Sequence, residues 1–155
     1  MPENNYYQTL PKKRIAAGAL FFNENNELLI VKPTYKDYWQ IPGGVVEKDE
    51  SPRDGCIREV KEEIGLDIDI KKFLCADYIY ISSEEREGII FIFYGGILTP
   101  FQIENIKLPK EEISECKFLK TEEALPLLSK IAERRIAKSL EVLKNDTPVY
   151  SENFN

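Results

Sequence analysis

Histidine is absent from this chain of 155 residues. No histidine can therefore act as metal ligand, general base or triad member. Acid–base chemistry falls to carboxylates, lysines, tyrosines or water activated by a metal ion. Cysteine is scarce: Cys56, Cys75 and Cys116 never form a CxxC pair. That favours free thiols over a disulfide framework or a thiolate zinc site. No apolar run resembles a secretion signal or is long enough to cross a bilayer, so a cytoplasmic protein without membrane contact is expected. Positive charge is also short, with 21 basic against 27 acidic residues and a net charge of −6. Nucleic-acid binding over an extended face needs a basic stripe, so no such partner is expected. A small nucleotide remains compatible, because a bound cation can offset its phosphates.

What is present reads as one ordinary domain, long enough to bury a core. Residues 1–13 form a polar arm carrying Tyr6 and Tyr7, residues 14–145 the domain, and residues 146–155 a tail expected to fray. Arg14–Phe22 and Glu27–Val31 read as a strand hairpin around the turn Asn23–Asn26. Leu66–Phe73 alternates as a strand, Leu74–Ile81 continues it or starts another, and Ser82–Gly88 is a charged tip. Ile89–Leu98 is almost wholly apolar and reads as a central strand, with Gly95-Gly96 marking a bulge. Pro100–Glu115 is expected to be an acidic loop before a short strand starting at Cys116. Thr121–Leu128 and Ser129–Lys144 read as helices separated at Pro126, the second with an apolar stripe of Ile136, Leu140 and Leu143. The order gives an α/β class with a mixed sheet.

Chemistry concentrates between Trp39 and Leu66, WQIPGGVVEKDESPRDGCIREVKEEIGL. Ser51 is a good N-cap, Pro52 suits the first helical position, and Gly65 suits a left-handed stop. Ile57, Val60 and Ile64 recur at helical spacing as the buried stripe. Glu59, Glu62 and Glu63 stand at i, i+3 and i+4, so their carboxylates converge on another face. Arg58 can pair with Glu62 but cannot neutralise the whole cluster. The cluster is either a solvated acidic face or a site for a hard divalent cation, Mg²⁺ or Mn²⁺ rather than zinc. Just ahead lies Lys32–Gln40, rich in lysine and aromatics. Tyr35, Tyr38 or Trp39 could stack on a base and Lys32 or Lys36 could touch phosphate; alternatively Trp39 fills the core beneath the loop. Gly43 and Gly44 either let backbone approach a ligand closely or form a tight turn.

Gly44, Glu50, Arg58, Glu59, Val60, Glu62, Glu63, Gly65 and Leu66 fill every fixed position of the Nudix box. The chain therefore resembles the Nudix hydrolases, sharply over Trp39–Leu66 and more loosely over residues 14–130. Two flanking positions depart from the usual look: Asp49 replaces a frequent glycine, and Gly55-Cys56 replaces a frequent Ala-Ala. Gly55 should cost the helix about 1 kcal/mol relative to alanine.

The resemblance implies an α/β/α sandwich around a central mixed β-sheet. It implies Mg²⁺-dependent (or Mn²⁺-dependent) hydrolysis of a diphosphate linkage in a nucleotide or nucleoside-diphosphate derivative, with water attacking phosphorus. The metal shell would comprise Glu59, Glu63, Glu62 and the Gly43 carbonyl, with Glu62 alternatively taking the water proton. Glu50 and Arg58 would hold the ligand face in register, while Tyr35, Lys36, Trp39 and Gly44 would meet substrate. A further glutamate outside the box, as ligand or base, is sought among Glu84, Glu85, Glu87, Glu111, Glu112 and Glu115, with Glu112 and Glu115 preferred. The absence of histidine speaks against the isoprenoid diphosphate isomerases of the same superfamily. The contrasting expectation is a catalytically inactive Nudix-fold regulator that binds nucleotide; dimers are frequent in the family.

Overall fold

The computed structural model describes residues 3–154. Strands β1 (Arg14–Phe22), β2 (Leu28–Pro33), β3 (Gly43–Val45), β4 (Lys72–Ile81), β5 (Arg86–Ile97), β6 (Ile113–Leu119) and β7 (Val149–Phe154) share one sheet. Their order is β6-β2-β1-β5-β4-β7, with β3 paired to β1 off this path. The β1–β5 and β4–β7 pairs are parallel and the others antiparallel. Helices α1 (Glu3–Thr9), α2 (Pro52–Ile64), α3 (Pro100–Glu104), α4 (Thr121–Ala124) and α5 (Lys130–Asn145), with 3₁₀ turns at Ser82–Glu84 and Leu125–Leu127, complete the element order.

Strand alternation sorts the apolar residues into two cores. Ala17, Ala19 and Phe21 of β1 join Cys56, Val60 and Ile64 of α2. Leu20 and Phe22 join Ala124, Ile136 and Val142 of α4 and α5. The sheet is thus covered on both faces, the α/β/α sandwich expected. β5 lies between β1 and β4, as its apolar run predicts. Its register against β1 slips so that Leu20 faces Tyr94 and Phe21 faces Gly96. The bulge falls at Gly95, where a Cβ would come within 2.2 Å of the Phe21 ring.

Several expectations are corrected. Residues 67–71 are not strand; β4 begins at Lys72. Asp69 spends its carboxylate on the Ile70 N–H at 2.9 Å and on Arg53 at 2.7 Å. Leu66, Ile68 and Ile70 still pack on the α2 core, which explains the apolar alternation. The acidic loop contains α3, started by a reciprocal Thr99–Gln102 capping box. The segment expected to fray forms β7 along β4, and the polar arm contains α1. β1 pairs with β2 at Phe22–Leu28, but its long partner is β5. Within α2, Cys56 rather than Ile57 is fully buried beside Val60 and Ile64. Pro126 sits in a single 3₁₀ turn, Leu125–Leu127, between α4 and α5. All three cysteines are free.

Candidate active site

α2 is delimited as its sequence predicts. Ser51 accepts the Asp54 N–H at 3.1 Å, Pro52 opens the helix, and Gly65, at φ 74°, donates its N–H to Lys61 O at 3.0 Å. The helix presents Glu59 and Glu63 to β3. Gly43 donates its backbone N–H to Glu63 Oε2 at 3.0 Å, and the Gln40 amide approaches Glu63 Oε1 at 3.4 Å. Gly43 itself runs so close to β1 that a Cβ would lie 2.4 Å from Ala17 O. At Gly44 a Cβ would stand 2.3 Å from the Glu59 carboxyl carbon. The two glycines therefore let the backbone reach both carboxylates, the close approach their pairing suggests.

Arg58 organises the helix face. Its Nε and Nη2 donate to the two Glu50 oxygens at 2.8 and 3.1 Å, a bidentate pair. Nη2 also meets Val45 O at 3.0 Å, and Nη1 meets Glu59 Oε1 at 2.9 Å and both Glu62 oxygens at 3.2 Å. Glu50 further accepts the Glu47 N–H at 2.9 Å. These bonds hold the Glu50 carboxyl below its ordinary pKa and the guanidinium above its own. Gly55 has its use here: a Cβ at that position would approach Glu50 Oε2 to 2.9 Å. The helix-weakening glycine leaves room for the carboxylate.

Burial sets the electrostatics. Glu63 is only 6% exposed. Loss of hydration pushes its pKa up to about 8, the Gly43 hydrogen bond opposing and the Glu59 charge adding. Burial also raises Glu59, against the pull of Arg58. Two hard carboxylates at the edge of a cleft, one held at a cost in hydration, form a donor set suited to a hard divalent cation. Glu62 shares the Arg58 Nη1 donor with Glu59, so those two carboxylates meet and the expected Arg58 pair forms, but Glu62 is half exposed and outside the cleft lining. Among the described residues no three acidic groups already form a closed cage.

The cleft, about 950 Å³, runs from Glu59, Glu63 and Gly43–Gly44 between the β1–β5–β4 surface and the start of α5. It receives Tyr35, Lys36 and Trp39. Lys36 lies over the Tyr35 and Tyr38 rings at 5.5 and 5.7 Å and donates to Gln40 Oε1 at 2.9 Å. Burial lowers its pKa, with Glu63 pulling the other way. Tyr35 is raised by burial and by Glu63, Glu112 and Glu59. Trp39 packs on the core beneath α5, the structural alternative weighed for it, and also lines the cleft, with Lys117 4.9 Å from its ring. Lys32 is turned to the Lys36 carbonyl instead. Of the glutamates outside the box, Glu84 and Glu112 line the cleft. Glu115 does not; it lies in an exposed pair with Lys117. Sequence reasoning missed Arg14, Arg86, Lys130, Arg134 and Arg135, which also line the cleft. For Arg135 there was a signal, a charged residue beside Ile136 on the apolar side of α5.

The NUDIX domain profile matches residues 12–140, and the chain belongs to the Nudix hydrolase family. It is 27% identical to Nudix hydrolase 2 of Arabidopsis thaliana over 155 residues, covering 95% of this chain and 52% of that protein. It is 46% identical to mRNA-decapping enzyme subunit 2 of Saccharomyces cerevisiae over 66 residues, 42% of this chain and 6% of that one. The chain thus spans about half or less of the length of these curated relatives. Among solved structures it resembles the MutT protein from Methanosarcina mazei Go1, with TM-score 0.70 and 26% identity, covering 90% of this chain and all of that one. A UDP-X diphosphatase shares the fold at TM-score 0.74 and 17% identity, over 97% of this chain and 75% of its own.

Proposed function

We propose that this chain hydrolyses the diphosphate linkage of a small nucleotide or nucleoside-diphosphate derivative, by attack of water on phosphorus, in a reaction dependent on Mg²⁺ or Mn²⁺. One observation carries the reading: the buried Glu63 and the neighbouring Glu59 meet the Gly43–Gly44 backbone at the edge of a nucleotide-sized cleft. A divalent cation, when bound, would neutralise the diphosphate and acidify water. Glu59 and Glu63 are the residues to hold it, with the Gly43 carbonyl and Glu62 beside them. The Gly43 N–H orients Glu63, and Arg58 with Glu50 holds Glu59 and Glu62 in register. Glu62 or Glu112 accepts the water proton; Glu112 is favoured outside the box because it lines the cleft and its charge reaches Glu63. Tyr35 and Trp39 offer faces for stacking, and Lys36 a positive charge for phosphate.

The test is a panel of nucleoside triphosphates, nucleotide sugars, ADP-ribose and dinucleoside polyphosphates, incubated with Mg²⁺ and with EDTA, with products identified. Metal-dependent cleavage between phosphates is expected for at least one class. Nucleotide binding without cleavage of any member would favour the inactive regulator instead.

A further inference from the structure

The wall of the cleft opposite the acidic helix holds a buried charge that hydrolysis does not use. Arg135, on α5, lines the cleft although it is only 8% exposed. Its Nε donates to Asp77 Oδ2 at 2.8 Å, and Asp77, on β4, is fully buried. The other Asp77 oxygen accepts from Ser151 Oγ at 2.5 Å and Asn153 Nδ2 at 2.6 Å, both on β7. Strand β7 thus fixes the carboxylate, and the carboxylate fixes the guanidinium. The two Nη groups of Arg135 have no acceptor among the described residues, and neither is sealed from solvent.

Asp77 already balances the charge of this guanidinium, which makes it a poor phosphate trap. What it retains is a planar fork of N–H donors. The cleft it lines carries Ile79, Ile81, Ile90 and Ile92 of the sheet and Ile131 and Ile136 of α5, with Arg14, Glu84, Arg86, Lys130 and Arg134 among the charged part of the same lining. Apolar walls suit a flat ring, and the fork suits two adjacent acceptors on that ring's edge. The O6 and N7 atoms of a 6-oxopurine provide such an edge. Adenine places an amino group beside N7, so donor would face donor.

We propose that Arg135, oriented by Asp77, Ser151 and Asn153, receives the O6/N7 edge of a guanine-type base, making guanosine and inosine nucleotides the preferred substrates. This rests on the nucleotide-hydrolase reading above. Asp77 is a positioning residue, and β7 is part of the specificity site although it lies far from α2 in the chain.

Calorimetric titration of the metal-free protein with GMP, IMP, AMP and inorganic phosphate tests it. The wild-type protein should bind GMP and IMP at least tenfold tighter than AMP. Arg135→Lys, which keeps the charge and loses the fork, should bring that ratio below threefold by weakening GMP and IMP more than AMP or phosphate, in a protein that circular dichroism shows to be folded. Asp77→Asn should raise KM for a guanosine substrate while kcat holds, a split that general loosening of the fold would not give. A wild-type ratio under tenfold overturns the proposal without any variant. So does a folded Arg135→Lys protein that keeps the ratio, or one that loses phosphate binding equally. If no panel member is hydrolysed, the functional reading fails; if nucleotides are hydrolysed without base preference, only this inference fails.

Discussion

The two ends of the cleft carry charge in opposite ways. At the β3–α2 end, Glu50, Glu59 and Glu62 bond one arginine, Arg58, while buried Glu63 accepts from Gly43 and Gln40, and negative charge is left over. At the β4–α5–β7 end, one carboxylate faces one guanidinium and two neutral donors, and the charges balance. An unbalanced, partly buried cluster is unstable by itself and stores affinity for a cation. A balanced buried pair gains little from a charged ligand, but breaking it strands a charge in a dry interior. The first arrangement suits chemistry and the second suits holding a shape.

The sharpest way to break this comparison is to unbalance the balanced end. Asp77→Ala should cost about 3–5 kcal/mol of stability, because Arg135 is left buried without its partner; denaturant unfolding measures it. The opposite end should respond to pH. Glu63 has its folded pKa raised from 4.5 to about 8, so the folded state holds that proton where the unfolded chain has released it. The contribution of Glu63 to the stability of the metal-free protein is therefore greatest below about pH 4.5 and falls as pH rises toward 8, by an amount on the order of a few kcal/mol, read as the difference between wild type and Glu63→Gln. Thermal melts in EDTA across that range should show the fall, and saturating Mg²⁺ should flatten it.

Glu63→Gln separates function from stability at one residue. Turnover should drop at least a hundredfold, about 2.7 kcal/mol in the barrier, while the metal-free variant melts no lower than wild type and loses the pH slope. Wild-type-like turnover would remove the metal assignment. Gly44→Ala is gentler. The added methyl meets the movable end of Glu59, 2.3 Å away, so the carboxylate is displaced rather than the fold. A tenfold loss of turnover, about 1.4 kcal/mol, with a stability change under about 0.5 kcal/mol is expected from kinetics and melting together.

The acidic end was legible because all of it lies within one local run. Helical periodicity turns the spacing of Glu59 and Glu63 into a shared direction, and Ser51, Pro52 and Gly65 mark the helix ends. The Arg58–Glu62 pair was legible from the i, i+4 spacing, but that the same guanidinium also holds Val45 O was not, because that bond depends on where β3 lies. The other end was illegible: Asp77, Arg135, Ser151 and Asn153 are brought together only by strand pairing and helix docking. β7 was read as frayed because its alternation of Tyr150, Glu152 and Phe154 with Ser151 and Asn153 places polar residues inward, opposite to the usual pattern. That inversion makes sense only once buried Asp77 is there to receive them.

By itself the sequence determined the family, the close backbone approach at the glycine pair, the limits of α2 and the pair of carboxylates, because backbone dihedral preference and the 3.6-residue period act over a few neighbours. Tertiary structure alone decided that Glu84 and Glu112, of the glutamates outside the box, reach the cleft, what Trp39 touches, and that arginines line that cleft. Those outcomes depend on sheet order and on the packing of α5, which bring together groups that no local periodicity connects.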